Sequence, residues 1–153
     1  MRITDFLSPV AVEAHLKAST KQGVLRELVG SILKVNPDLD PNLLVETLQQ
    51  REKLQSTGII EGIAIPHGKS DKIDGIIACL GRSIDGVDFK SLDGGPTYLF
   101  FTLLVPTSSQ GLHLKALARV SRLCKDPATV EALLSAPDAE SMYAIIAAED
   151  EKL

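Results

Sequence analysis

The feature that most constrains the fold is a continuous apolar segment late in the chain, PTYLFFTLLVP at residues 96–106. Its β-branched and aromatic residues favour an extended strand, and the prolines at its ends mark where regular pairing stops. A strand without polar alternation has to be covered on both faces, as the central strand of a layered sheet is. The segment therefore predicts a sheet that lies between layers of helices.

Helical patterns occur on both sides of this strand in the sequence. Apolar residues recur at helical spacing over residues 19–35, with Ser19 or Thr20 as the N-cap. A second helix is predicted over residues 40–54, with a proline in its first turn. After the strand and a polar loop, TSSQ, further helices are predicted in GLHLKALARVSRLC, PATVEALLSA and DAESMYAIIAAEDEKL.

Weaker strand patterns lie at residues 10–14, 63–65 and 75–84, and residues 87–95 alternate before a turn. The order of helices, then strands, then helices predicts an α/β fold with three layers and helices on both faces of the sheet. A chain of 153 residues suffices for one domain with a substantial core. Because no linker divides it, a single domain over residues 1–153 is expected.

Composition argues against several classes of function. The net charge is −4 and aromatic residues make up 4% of the chain, without a basic block, so nucleic-acid binding is not expected. No apolar run approaches the roughly 20 residues of a membrane span, so no membrane insertion is expected. The start of the chain lacks the features of a secretory signal, and we expect a cytoplasmic protein in which Cys79 and Cys124 are reduced core residues.

One of the three histidines follows a short apolar run, in the segment GIAIPHGKSD. Proline cannot donate to a strand ladder, so Pro66 is expected to end the strand. Glycine permits tight or left-handed backbone and leaves space beside its neighbour, so Gly68 leaves His67 firmly held but uncovered. This placement suits a nucleophilic imidazole. The alternative is an inert histidine in a turn at the end of a strand.

Anion-binding groups surround this histidine in the sequence. The loop STG, Ser56 to Gly58, offers backbone N–H groups and hydroxyls, and Arg51 lies at the end of the preceding helix. His113 lies in the first turn of a later helix, where the helix dipole favours negative charge. A surface arginine and a histidine packed on the core are the simpler alternatives. Together the residues favour carriage of a phosphoryl group, which needs positioning and charge stabilisation.

Other chemistries lack their motifs. The sequence has no serine in a nucleophile elbow and no phosphate-binding Walker loop. Its histidines, at positions 15, 67 and 113, are too scattered for a recognisable zinc pattern. The nearest acids after His67, Asp71 and Asp74, are interpreted as turn residues. No cofactor and no bound metal are therefore expected.

Several segments together resemble a known family: REKLQSTGI, GIAIPHGK, LFFTLLVP and HLKALARVSRL. They are similar to the enzyme IIA domains of the bacterial phosphotransferase system, in the fructose/mannitol class. The opening, ITDFLSP, resembles the start of the nitrogen-regulatory form. The resemblance extends over nearly the whole chain and implies a mixed β-sheet between helices.

The resemblance also implies roles for particular residues. His67 would accept a phosphoryl group on Nε2 from a phosphorylated histidine carrier protein, HPr-like or NPr-like. His113 and Arg51 would stabilise the phosphoryl group, with contacts from the backbone around Ser56, Thr57 and Gly58 and from Gly68. Two positions depart from the family pattern: Gln55 stands where glycine is expected, and Glu61 where a small or amide residue is common. The acid at position 61 puts the choice of donor in question.

The sequence leaves three alternatives to a regulatory phosphocarrier. In a sugar-specific component, His67 would pass its phosphoryl group to a separate IIB domain, whereas in the regulatory form its state would set which target proteins bind. A docking module without phosphoryl transfer is a second alternative. A metal-dependent hydrolase that uses His67 and His113 is a third.

Overall fold

The computed structural model describes residues 1–109 and 111–153. The predicted polar loop at residues 107–110 is therefore described up to Ser109, and Gln110 lies outside the described residues. In chain order the elements are a 3-10 helix Ile3–Asp5, β1 Leu7–Glu13, α1 Lys21–Leu33, α2 Pro41–Leu54, β2 Ile63–Ala64, β3 His67–Ser70, β4 Ile77–Val87, β5 Thr97–Pro106, α3 Leu112–Cys124, α4 Pro127–Ser135 and α5 Ala139–Asp150.

The strands form one mixed sheet in the order β1, β4, β5, with β2 and β3 both paired to the other side of β5. The β1–β4 pairing is parallel, the β4–β5 pairing is antiparallel, and β2 and β3 run parallel to β5. As predicted, β5 is a central strand, and its apolar side chains are buried on both faces, among them Phe100, Phe101, Leu103 and Leu104.

Side chains of β4 show that helices cover both faces of the sheet. Cys79 Sγ lies 3.3 Å from the carbonyl oxygen of Leu28 in α1. Arg82 lies three residues after Cys79 in β4, and its guanidinium donates to the carbonyls of Leu133 and Ala136 at the end of α4. Since alternate side chains of a strand point to opposite faces, α1 and α4 lie on opposite sides of the sheet. The predicted three-layer α/β architecture is confirmed.

The helix starts follow from their local sequence. The side chain of Thr20, rather than Ser19, accepts from the N–H of Gly23 and begins α1. Asp40 accepts from the N–H of Asn42 ahead of α2, where proline occupies the first turn. Each cap satisfies a backbone donor that the helix itself leaves free.

Regular strand structure ends before Pro66, as predicted, because β2 stops at Ala64. The chain resumes pairing with β5 at His67, and the register is continuous across the proline: Ala64 pairs with Phe100 and His67 with Leu103. The Pro66 carbonyl still accepts from the N–H of Leu103, at 2.9 Å. Because the N–H and C=O of one strand residue point to the same side, the missing donor of Pro66 leaves a gap in the ladder toward β5.

Both cysteines are free and buried, in agreement with the sequence. Burial raises the pKa of the Cys79 thiol and that of the Cys124 thiol to about 12. Neither thiol is therefore a ready nucleophile near neutral pH. Within the described residues, no helix combines the length and the apolar character that crossing a membrane requires.

Candidate functional site

The imidazole of His67 is held at both of its nitrogens. Its Nδ1 lies 2.8 Å from the carbonyl oxygen of Ile65, and Arg51 Nε donates to its Nε2 at 3.2 Å. A guanidinium has donors only, so Nε2 must be the acceptor and the ring proton sits on Nδ1. The geometry thus selects one neutral tautomer and presents an unprotonated Nε2.

The surroundings of His67 favour this neutral ring. Burial lowers the pKa of His67 below its ordinary value of 6.5, and the positive charge of Arg51 lowers it further. The hydrogen bond to the Ile65 carbonyl acts in the opposite direction and raises the pKa of His67. Because the net shift is downward, the ring is unprotonated at Nε2 near neutral pH, as a nucleophile must be.

Arg51 reaches His67 from the last turn of α2. One terminal nitrogen of its guanidinium donates to the carbonyl oxygen of Gln55 at 2.8 Å, beyond the end of the helix. This bond satisfies a carbonyl at the helix end and fixes the plane of the guanidinium. It uses the backbone of Gln55 only, so the departure from glycine at this position leaves the contact intact.

A cavity of about 550 Å³ opens where the three predicted residues meet. Its lining includes His67, Arg51, His113 and Gly68, together with Leu103 of the central strand. Residues that are far apart in the sequence therefore line one cavity. A second cavity of about 380 Å³ adjoins His67 and is lined in part by Ser56 and Thr57.

His113 is the second residue of α3, which begins after Gly111 without a side-chain cap. Its Nδ1 is buried and has no hydrogen-bond partner among the described residues. A buried polar atom without a partner is costly and is uncommon in folded proteins. At an uncapped helix N-terminus that borders a cavity, such an atom is suited to an anionic ligand.

Three of the donors that the sequence suggested for an anion in the STG loop bind groups inside the protein instead. The N–H of Thr57 donates to the Glu52 carboxylate at 3.1 Å, and the Thr57 hydroxyl donates to the same carboxylate. The N–H of Gly58 donates to Ser56 Oγ at 3.0 Å. These donors are used inside the protein because the loop folds back over the end of α2. Gly58 lines neither of the two cavities beside His67.

Gly68 has a packing role that the sequence analysis described only in part. A Cβ at this position would lie 2.7 Å from Thr47 Cγ2 in α2. The residue lies in a strand, so it is the missing side chain, and not left-handed backbone, that matters here. The close approach of β3 to α2 brings His67 within reach of Arg51.

Sequence reasoning missed Glu52 and the Ile65 carbonyl. Glu52 looks like a surface residue in the sequence, yet its side chain is only 4% exposed and forms an ion pair with Lys21 at 2.9 Å. Its position next to Arg51 was the available signal, but burial at a helix end depends on the loop that covers it. In the described part of the chain, no group of three or more His, Cys, Asp or Glu residues is placed to hold a metal ion.

The chain is similar in sequence to several known proteins. The profile of the phosphoenolpyruvate-dependent sugar phosphotransferase system, EIIA 2, matches residues 5–149. A nitrogen regulatory protein of Bradyrhizobium diazoefficiens is 38% identical over 96% of this chain and 95% of its own length. The fructose-specific EIIABC component of Bacillus subtilis is 35% identical over 98% of this chain, which matches 24% of that longer protein.

Solved structures show the same relationship. The crystal structure of nitrogen regulatory protein IIA-Ntr from Neisseria meningitidis superposes with a TM-score of 0.87 at 30% identity, over 94% of this chain and 98% of that one. The positions of Arg51, His67 and His113 all lie within the residues that the EIIA 2 profile matches. The chain belongs to the EIIA 2 family of the phosphoenolpyruvate-dependent sugar phosphotransferase system.

Proposed function

We propose that the chain is a phosphocarrier in which His67 Nε2 accepts a phosphoryl group from a phosphorylated histidine carrier protein. The observation that supports this most is the unprotonated Nε2, beside Arg51 and with the ring proton donated to Ile65. The Nε2 lone pair attacks phosphorus, and the P–N bond of the donor breaks. The donor imidazole leaves with the electron pair, so His67 keeps its Nδ1 proton throughout.

Arg51 and His113 stabilise the product. A phosphoryl group on a side chain carries a charge of roughly −1.5 to −2 at neutral pH. Arg51 already points at Nε2, and its planar fork matches the oxygens of a phosphoryl group. His113, in the first turn of α3, lines the same cavity, and its Nδ1 has no partner among the described residues. Ser56 and Thr57 line part of the adjoining cavity, and Gly68 lines the main one.

The downstream role that we propose is regulation of partner proteins in the cytoplasm. The relative from B. diazoefficiens, a nitrogen regulatory protein, matches this chain over nearly its own full length. A dianion on His67 would change which surfaces dock there, because it adds charge to a half-buried residue that lines an open cavity. The alternative is a sugar-specific IIA that passes its phosphoryl group to a separate IIB. The similarity to the fructose-specific EIIABC component of B. subtilis supports this alternative.

The direct test is phosphorylation in a reconstituted system. The purified chain is mixed with phosphoenolpyruvate, enzyme I and either a sugar-branch or a nitrogen-branch carrier, and its mass is followed. We expect one acid-labile phosphoryl group in the wild type and none in His67→Ala. Faster transfer from the nitrogen-branch carrier would favour the regulatory role, and faster transfer from the sugar-branch carrier would favour the sugar-transport role. A folded wild type that gains no phosphoryl group with either carrier would contradict the proposal and leave a docking module.

A further inference from the structure

The carboxylate of Glu52 organises the loop that carries the STG sequence. It accepts from the N–H and the hydroxyl of Thr57, and its Oε1 lies 2.9 Å from Lys21 Nζ. Lys21 in turn lies 4.5 Å above the ring of Phe89, which anchors the ammonium from the other side. A buried carboxylate is stable only when its oxygens are satisfied, and three donors meet that requirement here.

Further hydrogen bonds connect the loop to His67. The carbonyl oxygen of Thr57 accepts from the N–H of Ile65 at 3.2 Å. The carbonyl oxygen of Ile65 then accepts from His67 Nδ1 at 2.8 Å. A continuous series of hydrogen bonds therefore runs from Glu52 through Thr57 and Ile65 to the imidazole.

Two consecutive residues of α2 thus control the two ring nitrogens. Arg51 contacts Nε2 directly, and Glu52 governs the acceptor of the Nδ1 proton through the loop. The partner of one ring nitrogen determines which tautomer the other nitrogen presents. The position of the Ile65 carbonyl therefore matters more to the site than its place in a loop suggests.

We infer that Glu52 is a positioning residue, which holds the Thr57–Ile65 segment so that the Ile65 carbonyl keeps the proton of His67 on Nδ1. The consequence for phosphoryl acceptance rests on the proposed function. The consequence for the tautomer does not, because it can be measured without a phosphoryl donor. Failure of the wild type to accept phosphate would therefore overturn the proposed function while the tautomer result stands.

The test substitutes Glu52→Gln and records the ring ¹⁵N signals of His67 across a pH titration. The amide keeps the size of the side chain but has a single acceptor oxygen, so it cannot satisfy the three donors. Because Arg51 still donates to Nε2, we expect a partial loss of the tautomer protonated at Nδ1 and not its complete reversal. With a phosphorylated carrier, we expect acceptance to slow by about tenfold, the lower end of the loss seen when the hydrogen-bond partner of a metal-binding histidine is removed.

The direction of the pKa shift separates positioning from general loosening. The charged groups that act on His67 are Arg51 and Glu52 from α2 and His113 from α3. Removing the negative charge of Glu52 and weakening the Ile65 acceptor both lower the pKa of His67, since each now raises it. Loosening of the site would instead expose the ring and raise its pKa toward the ordinary value.

Glu46→Gln is the matched control, because Glu46 lies on the exposed side of the same helix. It should leave the His67 signals, pKa and acceptance unchanged. A folded Glu52→Gln protein with an unchanged tautomer, or with a raised His67 pKa, would overturn the inference. If Glu52→Gln does not fold, the same measurements are made on Thr57→Val. This variant removes only the hydroxyl donor to Glu52, so we expect a smaller change in the tautomer and the pKa of His67, in the same direction. An unchanged tautomer in Thr57→Val would then overturn the inference.

Discussion

At the scale of single residues, the site depends on a histidine kept neutral and oriented. Burial and the positive charge of Arg51 both lower the pKa of His67, against the hydrogen bond to the Ile65 carbonyl, which raises it. The same arginine is a hydrogen-bond donor to Nε2, so its position and its charge act together. Before transfer Arg51 stabilises the neutral tautomer of His67 that carries its proton on Nδ1, and after transfer its guanidinium faces the new phosphoryl group.

Replacing Arg51 with glutamine tests what its positive charge does to His67 and to phosphoryl transfer. Loss of the positive charge should raise the pKa of His67, because that charge now lowers it. Phosphoryl acceptance should fall by about a hundredfold, the usual cost of one transition-state donor. An NMR titration gives the pKa and a single-turnover assay gives the rate. Lys53→Gln removes an exposed cation from the same helical turn and should change neither. A His67 pKa that falls in Arg51→Gln would contradict this account.

At the scale of elements, the sequence predicted those whose signals are local. The apolar run of β5, the Thr20 cap and the Asp40-Pro41 start of α2 depend on neighbours within a few residues, and the structure agrees with each. The return to pairing at His67, directly after Pro66, was missed because it depends on the register with β5 and not on neighbouring residues. The use of the Thr57 donors was missed because Glu52 becomes buried only when the loop closes over α2.

The contact between β3 and α2 is the element-scale feature that the site needs. Gly68→Ala should push β3 away from α2, since its Cβ would lie 2.7 Å from Thr47 Cγ2. We expect a loss of about 1–3 kcal/mol in the free energy of unfolding, as in other overpacked sites. Phosphoryl acceptance should also slow, because Arg51 and His67 separate. Urea unfolding and the acceptance assay measure the two effects.

A second substitution tests whether this contact is the cause. Thr47→Ser removes Cγ2 but keeps the hydroxyl that donates to the Leu43 carbonyl at 2.9 Å. The Gly68→Ala, Thr47→Ser double variant should therefore recover most of the stability and the rate. If Thr47→Ser restores neither, the effect of Gly68→Ala arises elsewhere and the packing explanation fails.

At the scale of the whole molecule, Arg82 connects parts of the chain that no single element joins. It is buried in β4, and its guanidinium donates to Ala14 after β1 and to Leu133 and Ala136 at the end of α4. All of these partners are carbonyl oxygens at the ends of elements, which otherwise lack donors. The arginine therefore ties one helical layer to the sheet at a distance from His67.

Arg82→Met keeps much of the side-chain volume but leaves these buried carbonyls without donors. The free energy of unfolding should fall by about 3 kcal/mol or more, because hydrogen bonds to a charged group are lost and their acceptors stay buried. Arg26→Met is the control, since Arg26 is exposed on α1 and should change stability little. Below the unfolding transition, phosphoryl acceptance by Arg82→Met should match the wild type, because its partners do not include the residues that hold His67. A large loss of acceptance in the folded variant would show instead that the α4 layer is coupled to the phosphorylation site.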